Sequence, residues 1–286
     1  MIVHSTTNYL TNIALAKEKI AEADAIVVGA GAGYSTAAGL VYDGEEFQKN
    51  FGDFIAKYHF PNLYYGGFGP FENDQEMWAY WSRFIYLERY KPGPLFLYQD
   101  LLRLLQGKNY FVLTTNVDHC FQKTGFAKER LFYMQGDYGL FQCSVPCHQK
   151  TYDNEKAVMA MLKKQKSMQV PLELIPKCPI CGKPMAMNLR SDNSFVEDEG
   201  WHEAEERYEM FLAENYLDKK IVYLEVGVGD NTPAIIKYPF YRLTAKNPQA
   251  TYIYANIERS NPPLEIEKQS IVLLGNLAET IALLNR

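Results

Sequence analysis

The chain has 286 residues, 47% of them hydrophobic and 22% charged, which is close to the composition of a soluble globular protein with a substantial core. This length accommodates one large domain, or one domain with a smaller module. The net charge of −5 gives no support for nucleic-acid binding, which requires a dominant basic surface. The 21 tyrosines and 16 phenylalanines suit clefts and interfaces, but most are expected in an ordinary core or at half-buried surface.

The N-terminal stretch MIVHSTTNYLTNIALAKEK lacks a basic region followed by an apolar run, so no secretory signal is predicted. No apolar stretch approaches the roughly 20 residues needed to cross a bilayer. We therefore expect a cytoplasmic protein without a membrane partner. In that reducing compartment, five cysteines favour metal ligation or free thiols over disulfides.

The first half of the chain alternates helical and strand-like segments. Helical periodicity over 9–23 leads into the apolar run 26–28, which ends at glycines as a buried parallel strand does. Residues 40–70 show no sustained period and are predicted to form a long irregular or partly helical segment. The elements predicted next are helices at about 73–89 and 94–106 and strands at 110–116 and 131–134.

The second half begins with a cysteine-rich interruption, after which the strand pattern returns. The lysine- and methionine-rich residues 156–168 predict a surface helix, and an acidic helix covers roughly 197–216. The elements predicted after it are strands at 221–229, 251–257 and 270–274 and helices that begin at Pro233 and Asn276. Apolar strands alternating with helices predict an α/β fold with a Rossmann-like parallel sheet.

A glycine-rich stretch, GAGAGYS (29–35), follows the first strand and precedes an expected helix. Glycines let the backbone approach a phosphate closely, and a helix N-terminus offers free N–H donors. The spacing departs from the usual dinucleotide fingerprint, because Tyr34 occupies the sixth position and no acidic residue ends a second strand about 20 residues later. A dinucleotide is favoured over a merely tight strand–helix turn, but a conventional dehydrogenase site is not expected.

Four cysteines form two short pairs, Cys143-x3-Cys147 and Cys178-x2-Cys181. Two tight turns that each present two thiolates match a closed tetrahedral Zn²⁺ site, which holds structure and activates no water. His148 could compete with Cys147 as a ligand, and four unliganded thiols are the remaining alternative. Cys120 lies outside the set and is expected to be a small core residue without a catalytic role.

The stretch TTNVDH (114–119) comes at the C-terminal end of an apolar strand, where open α/β sheets bind their ligands. Asn116 could address an amide, and Asp118 could address a sugar hydroxyl. Capping of the following helix by these two side chains is an equally good interpretation of the stretch alone.

Taken in order, GAGAGYS, TTNVD, a strand with QG, the cysteine pairs, VGVGDN and ANIE resemble the sirtuin family over nearly the whole chain. The resemblance implies an NAD-binding Rossmann-like fold at 1–136 and 191–286, with the irregular segment as a cofactor loop and a zinc-binding module inserted at 137–190. The implied NAD contacts of the glycine loop and the central strand end are Gly29, Ala30, Gly31, Ser35, Asn116, Val117 and Asp118.

Later segments carry further implied contacts. The family's adenosine-side and final NAD contacts fall on Gly227, Val228, Gly229, Asn256, Ile257, Asn276 and Leu277. The segment LRSDNSFVE (189–197) resembles the family's substrate-peptide segment, whose positions are Phe195, Val196 and Glu197.

Three departures from typical sirtuins are informative. GLVYDGEEF (39–47) keeps a Gly and the cofactor-side Asp43 but loses the usual Pro and Arg, and VGVGDN replaces Gly-Thr-Ser. The family's catalytic histidine falls on Gln135, beside retained Asn116 and Asp118. These features resemble the macrodomain-linked class M sirtuins, which are associated with mono-ADP-ribosylation of proteins, notably lipoyl-carrier proteins.

A glutamine at this position favours transfer over deacylation. Loss of nicotinamide needs an oriented, dry pocket and no base, whereas resolving an acylated intermediate needs a base that takes a ribose proton. Gln135 can hold ribose hydroxyls but cannot take that proton. We therefore expect a protein mono-ADP-ribosyltransferase in which Asn116, Asp118 and Gln135 are catalytic, NAD is the cosubstrate and Zn²⁺ is structural. Its expected partners are a protein acceptor, such as a lipoylated carrier, and a macrodomain protein that reverses the modification.

Two other functions remain open. The chain could be a weak NAD-dependent deacylase or an NAD glycohydrolase, or it could be a catalytically silent NAD-sensing or scaffolding module. The group that deprotonates the acceptor is also open, with Asp118 and Asp137 as candidates.

Overall fold

The computed structural model describes residues 6–40, 42–91, 93, 95–230 and 233–286. Two motif positions discussed above, Val41 and Asn231, lie outside the described residues. The strands are β1 (Ala25–Ala30), β2 (Tyr110–Thr114), β3 (Leu131–Tyr133), β4 (Gly136–Cys143), β5 (Tyr152–Asp153), β6 (Met185–Leu189), β7 (Ile221–Val226), β8 (Thr251–Asn256) and β9 (Ser270–Leu274).

Helices cover both faces of the large sheet and also pack against the small antiparallel sheet. They are α1 (Thr6–Glu22), α2 (Ala32–Ala37), α3 (Gly44–Tyr58), α4 (Leu63–Gly67), α5 (Asp74–Ile85), α6 (Phe96–Leu104), α7 (Cys120–Thr124), α8 (Glu155–Lys164), α9 (Glu199–Asn215), α10 (Lys237–Lys246) and α11 (Leu277–Leu284). A π-helical turn, Tyr86–Tyr90, continues directly from α5. Short 3-10 turns are formed by Lys128–Arg130, Leu172–Leu174 and Leu264–Gln269.

The large sheet is parallel throughout, with strand order β3-β2-β1-β7-β8-β9. Every residue of β1 and β7 is buried, as expected for central strands that helices cover on both faces. The chain runs outward from β1 to β3 and then returns to place β7 on the other side of β1. The strand order therefore reverses at β1 and β7, and the crevice beyond their carboxyl ends is where such sheets bind ligands.

The six strands and the α/β class predicted from the sequence are confirmed. The sequence did not predict the small antiparallel sheet β5-β4-β6. Residues 40–70 prove mostly helical, since they contain α3 and α4, and α10 begins at Lys237 instead of Pro233. The predicted surface helix is α8, which ends at Lys164 and buries Val158 and Met161.

A third hydrophobic core, the aromatic core, is distinct from the two that flank the large sheet and is rich in aromatic side chains. It joins α3, α4 and α5 to the antiparallel sheet and to α8, so chain segments on either side of β2 share one core. Its largest fully buried members are Phe51, Phe54, Trp78, Tyr80 and Phe84. The assignment of 137–190 to a separate module stays a prediction.

None of the helices formed by the described residues combines the length and the apolar character that crossing a bilayer requires.

Candidate active site

A buried hydrogen-bonded cluster lies at the reversal point of the sheet. Asn116 follows β2, and its Nδ2 donates to the Gly31 carbonyl at 3.1 Å and to Ser35 Oγ at 2.9 Å. Ser35, on α2, in turn donates to the carboxylate of Asp118. The hydroxyl of Tyr98, on α6, lies 2.8 Å from Ser35 Oγ. The glycine loop and the end of β2 are therefore tied together by direct hydrogen bonds.

The second oxygen of the Asp118 carboxylate, Oδ1, accepts a hydrogen bond from the backbone N–H of Cys120 at 2.9 Å. Asp118 therefore satisfies the first backbone N–H of α7, as the capping interpretation of TTNVDH predicts, and its contact with a sugar hydroxyl stays a prediction. Burial raises the pKa of the Cys120 thiol well above its ordinary value, and the nearby Asp118 charge adds to this effect. Cys120 is accordingly an uncharged core residue, as predicted.

Asn116 keeps one polar atom free. Its Oδ1 is buried and has no hydrogen-bond partner among the residues that the structure describes. A buried carbonyl oxygen without a donor costs about 1–3 kcal/mol, so such an atom is typically completed by a ligand or by water. A sugar hydroxyl is a suitable donor, and the atom lies at the crevice where the fold binds its ligand.

The glycine loop packs against the β7–α10 connection. A Cβ at Gly31 would lie 2.8 Å from the Gly227 carbonyl and from Val228 Cα, and one at Gly33 would also lie 2.8 Å from that carbonyl. The N–H of Gly33 donates to Gly227 at 2.9 Å, and the N–H of Tyr34 donates to Gly31 at 2.9 Å. These amides are therefore not free donors, and the glycines serve backbone packing as well as any ligand.

Gln135 lies in the turn between β3 and β4 and is half-buried. Its carbonyl accepts a hydrogen bond from the N–H of Arg190 at 3.0 Å. Gly136 has φ +98°, and a Cβ there would collide with the Asn188 carbonyl on β6, so only glycine fits. The turn that presents Gln135 is thus held against the segment that contains the predicted substrate residues.

Arg190, which the sequence reasoning did not include, contacts several of the predicted site residues. Its guanidinium lies 4.4 Å from the centre of the Phe195 ring and pairs with the Glu197 carboxylate. It therefore connects the Gln135 turn to two of the three predicted substrate residues. The only available signal was its place at the start of RSDNSFVE.

Val196 is buried and its backbone is already engaged. Its N–H donates to Gln142 Oε1 at 2.9 Å, and its carbonyl accepts from Asn188 Nδ2 at 3.0 Å. Pairing of an acceptor peptide with the Val196 backbone would have to displace these bonds. Phe195 and Glu197, both half-buried, remain the more accessible members of the predicted segment.

Asp137 takes part in a second polar network beside Gln135. Its carboxylate pairs with His119 and accepts from Arg89 Nε at 2.8 Å and from the N–H of Gly139 at 2.7 Å. Burial opposes ionisation, but the bonds to His119 and the charge of Arg89 outweigh it and lower the pKa of Asp137. A carboxylate with three partners and a lowered pKa is a poor proton acceptor, so Asp137 is unsuited to deprotonate an acceptor.

The predicted adenosine-side residues meet at the ends of β7, β8 and β9. Asn256 ties two of these ends together, because its Nδ2 donates to the Val228 carbonyl at 3.0 Å and its Oδ1 accepts from the N–H of Ile257 at 2.8 Å. Asn276 caps α11 through the N–H groups of Ala278 and Glu279. The structure gives each asparagine a structural partner and places both at the ligand-binding edge of the sheet.

The remaining predicted residues differ in exposure. Asp43 is exposed at the start of α3. Gly29 lies within β1, packed against Ile236 and Phe240 of the α10 region, which is a packing reason for glycine there. Ala30 and Leu277 are buried, whereas Ile257 is 76% exposed.

The four cysteines come together at the edge of the aromatic core. Their Sγ atoms all lie within 4.8 Å of one another, with Cys143 3.6 Å from Cys181 and Cys147 3.7 Å from Cys178. Zn–S bonds of about 2.3 Å in a tetrahedron place sulfur atoms roughly 3.8 Å apart, so the arrangement fits Zn²⁺. His148 Nδ1 lies 3.0 Å from Cys147 Sγ, and its Nε2 lies 2.8 Å from the Tyr152 hydroxyl, so it acts as a neighbour of the site.

Comparison with known proteins gives close relatives and a shared fold. The chain is 40% identical to a protein ADP-ribosyltransferase of Staphylococcus aureus over 263 residues, which are 92% of this chain and 83% of that protein. Solved structures of Sir2 homologues bound to ADP-ribose and to NAD superimpose with TM-scores of 0.59 and 0.58, at 15% and 16% identity. They match 95% and 96% of this chain and 94% and 92% of theirs.

The chain belongs to the protein ADP-ribosyltransferases, and its fold is that of the Sir2 homologues.

A second relative of this transferase is a probable bifunctional ADP-ribose hydrolase/ADP-ribosyltransferase of Fusarium oxysporum f. sp. cubense. It is 32% identical over 238 residues, which are 80% of this chain and 39% of that longer protein. No protein-family model matches the transferase.

Proposed function

We propose that this chain is an NAD-dependent protein mono-ADP-ribosyltransferase that releases nicotinamide and modifies a protein acceptor. The observation that carries the proposal is the buried cluster of Gly31, Ser35, Asn116 and Asp118, which leaves Asn116 Oδ1 without a donor at the ligand-binding edge of the sheet. The membership in the protein ADP-ribosyltransferases supports the same reaction.

NAD would lie along the carboxyl edge of the sheet, with its nicotinamide riboside at Asn116 and Asp118. Its phosphates would lie at the glycine loop, and its adenosine would lie beyond β7 and β8. The residues proposed to hold it are Gly29, Ala30, Gly31, Ser35, Asp43, Asn116, Val117, Asp118, Gln135, Gly227, Val228, Gly229, Asn256, Ile257, Asn276 and Leu277.

In the proposed reaction the bond between the ribosyl C1′ and the nicotinamide nitrogen breaks, and its electron pair leaves with neutral nicotinamide. The acceptor nucleophile forms the new bond to C1′ and gives up its proton if it carries one. The residues orient the sugar and exclude water, and the reaction as written needs no proton transfer from the ribose. Gln135 therefore serves as a hydrogen-bonding residue for the ribose.

The presence of Gln135 where sirtuins have a catalytic histidine disfavours deacylation. A positioned base contributes typically 10²–10⁴-fold, or about 3–5 kcal/mol, to a step that requires it. Gln135 supplies no base, and Asp137 is occupied by three partners. This favours an acceptor that brings its own charge, such as a carboxylate.

Two partners follow from the resemblance to the macrodomain-linked sirtuins. We propose a lipoylated carrier protein as the acceptor and a macrodomain protein that removes the modification, both in the cytoplasm. The Fusarium relative, named for both an ADP-ribose hydrolase and an ADP-ribosyltransferase, supports a link between the two activities.

Incubation with NAD labelled in its ADP-ribose part, in the presence of host lysate, tests the proposal. We expect label on protein from the wild-type chain and at least about 100-fold less from Asn116→Ala, because the riboside loses its orienting group. Asn285→Ala, which removes a side-chain hydrogen bond to the Asp100 carbonyl outside the proposed site, is the matched control. Free ADP-ribose alone would indicate a glycohydrolase, and NAD binding without nicotinamide release would indicate a silent sensor.

A further inference from the structure

A histidine–carboxylate pair joins the end of β2 to the start of β4. Nδ1 of His119 contacts the carboxylate of Asp137. The Asp137 side chain is 4% exposed, whereas that of His119 is 28% exposed and reaches solvent. The N–H of Tyr138 donates to the Val117 carbonyl at 2.9 Å, which holds the two chain segments side by side. The pair therefore lies between two segments of the candidate active site.

The backbone of His119 adopts the left-handed conformation, with φ +67°. This region is uncommon for residues other than glycine, and residues held in it cost free energy and cluster at active sites. His119 is the residue that precedes α7, but its side chain makes no capping hydrogen bond to that helix. Capping therefore does not account for the histidine, whereas its contact with Asp137 is the one that the fold provides.

Asp137 fixes which nitrogen of His119 carries the proton. Burial opposes ionisation of Asp137, but the bonds to His119 and the charge of Arg89 hold its pKa below the ordinary value. An ionised carboxylate only accepts hydrogen bonds, so Nδ1 of His119 must donate. The other nitrogen, Nε2, is then without a proton and makes no hydrogen bond with any of the described residues. This is the tautomer in which a histidine acts as a base.

The Asp137 carboxylate is itself held in place. Arg89 Nε donates to its Oδ1 at 2.8 Å, and the N–H of Gly139 donates to the same oxygen at 2.7 Å. The other oxygen, Oδ2, is left for His119. A carboxylate fixed in this way orients the imidazole and stabilises the positive charge that the ring acquires on protonation. Asp137 is thus a positioning residue, which fits its own unsuitability as a base.

The proposed transfer leaves one proton without an acceptor. A carboxylate on the acceptor protein brings its own charge and needs no base. A hydroxyl must lose its proton when its oxygen bonds to C1′, and neither Gln135 nor Asp137 takes that proton. A base within the site would therefore extend the reaction from charged acceptors to hydroxyl acceptors.

We propose that His119 is this base and that it makes the enzyme competent to modify hydroxyl groups. The bond between C1′ and the nicotinamide nitrogen breaks, and its electron pair leaves with nicotinamide. The hydroxyl oxygen forms the new bond to C1′, and its proton passes to Nε2 of His119. The resulting imidazolium is stabilised by Asp137 and later gives the proton to solvent. The assignment rests on the proposed function, because it takes NAD as the cosubstrate.

The test compares two reactions of the purified protein with NAD. Exchange of labelled nicotinamide into NAD breaks and remakes the bond to C1′ without removing a proton. Transfer to methanol, used as the hydroxyl probe, forms methyl ADP-ribose and requires a base. We expect His119→Asn to lower the ratio of methanol transfer to nicotinamide exchange at least about 100-fold, because a positioned base typically contributes that much. Asparagine is the chosen replacement because it tolerates the left-handed conformation.

Two further variants sharpen the comparison. Asp137→Asn presents an amide that donates to Nδ1 and places the proton of His119 on Nε2, so the same ratio should fall at least about 10-fold in protein that circular dichroism shows to be folded. His202→Asn is the matched control, since His202 lies on α9 with a 58% exposed side chain. It should leave the ratio unchanged. A purely structural role of the pair would lower both reactions together and leave the ratio constant.

The pH dependence gives an independent readout. Because histidine side chains lose their proton within the range from about pH 5 to about pH 8, the wild-type ratio should rise about 10-fold as the pH increases across it. His119→Asn should show no such rise. The other titratable and charged groups around the pair are Arg89, Tyr90, Asp118, Lys123 and Tyr133.

These neighbours do not account for the expected rise. Burial raises the pKa of Tyr90 and of Tyr133, so both stay protonated over this range. Burial lowers the pKa of Lys123, and the charge of Arg89 adds to this effect. Lys123 and Asp118 are present in the wild type and in His119→Asn alike, so the difference between the two pH profiles isolates His119.

The outcomes separate this assignment from the proposed function. Equal ratios in the wild type and His119→Asn, a wild-type ratio that does not change with pH, or exchange without any methyl ADP-ribose would each overturn the role of His119. Absence of nicotinamide exchange in the wild type would instead overturn the proposed function. If His119→Asn does not fold, the pH profile of the wild type and the ratio in Asp137→Asn decide the matter.

Discussion

The large parallel sheet and the aromatic core hold their parts together differently. In the sheet, β1 and β7 bury every residue and join through a continuous backbone ladder, so the segments are fixed by main-chain hydrogen bonds. In the aromatic core, rings hold together segments that form no shared ladder, as where Phe51 meets Tyr80 at 4.7 Å. The cysteine cluster closes the edge of this second region.

The difference indicates how each region depends on its surroundings. A backbone ladder can form with many sequences, provided that the side chains are buried. A side-chain core depends on the particular shapes of its residues. In this region it also depends on a metal that joins two distant turns. We therefore expect the second region to be the more sensitive to single changes, and we expect Gln135, at the junction between the two, to report on function instead of stability.

The largest effect is expected from Cys178→Ser. The variant should lose stoichiometric zinc and unfold the second region, because structural zinc contributes on the order of 10 kcal/mol to the folding of small metal sites. Elemental analysis together with near-ultraviolet circular dichroism measures both changes. Cys120→Ala, outside the cluster, should keep its zinc. Native protein without about one zinc per chain would contradict the assignment.

Phe51→Ala and Phe111→Ala together test whether the aromatic core unfolds independently of the large sheet. Both Phe51 and Phe111 are buried rings, the first in the aromatic core and the second on β2. Each change to alanine should cost about 3–5 kcal/mol in the free energy of unfolding of the zinc-loaded protein. After zinc is chelated, Phe51→Ala should lower the free energy of unfolding only slightly, because the aromatic core is already unfolded. Phe111→Ala should still lower it by about 3–5 kcal/mol. Urea unfolding measures both, and equal costs without zinc would show one cooperative unit.

Asp137→Asn tests the polar junction between the regions. Its folded-state pKa is lowered, so the stabilisation is present above the unfolded value of about 3.9 and is lost as the pH falls through the folded value. We expect the variant to lose about 2–3 kcal/mol at pH 6, less than for a fully buried pair because His119 and Arg89 reach solvent. The difference in the free energy of unfolding between the variant and the wild type should become smaller toward pH 3. A loss that does not change with pH would rule out the ionised carboxylate as its source.

The smallest effect is expected from Gln135→Ala. Loss of hydrogen bonds to the ribose should slow transfer to protein by about 2- to 10-fold, at about 0.5–1.5 kcal/mol for each bond, without changing stability. The wild type should show little activity on acetyl-lysine peptides from pH 6 to pH 9, a range in which a histidine base would titrate. Robust deacetylation with an apparent pKa near 7 would mean that another group supplies the base. His119 would then be the first residue to replace by mutagenesis.

The sequence alone predicted the six parallel strands, because short runs of mostly apolar residues that end at turn residues are a local signal. It also predicted the cysteine cluster from spacing, and the rule for parallel strand ends placed Asn116 and Asp118 at the ligand-binding edge, where the resemblance added Ser35. Only the tertiary structure decided that residues 44–90 pack with the antiparallel sheet, since aromatic side chains without a regular period specify no partner. It alone placed Arg190 beside Gln135 and left Glu88 Oε2 buried without a hydrogen-bond partner among the described residues, because contacts between distant segments depend on how the whole chain packs.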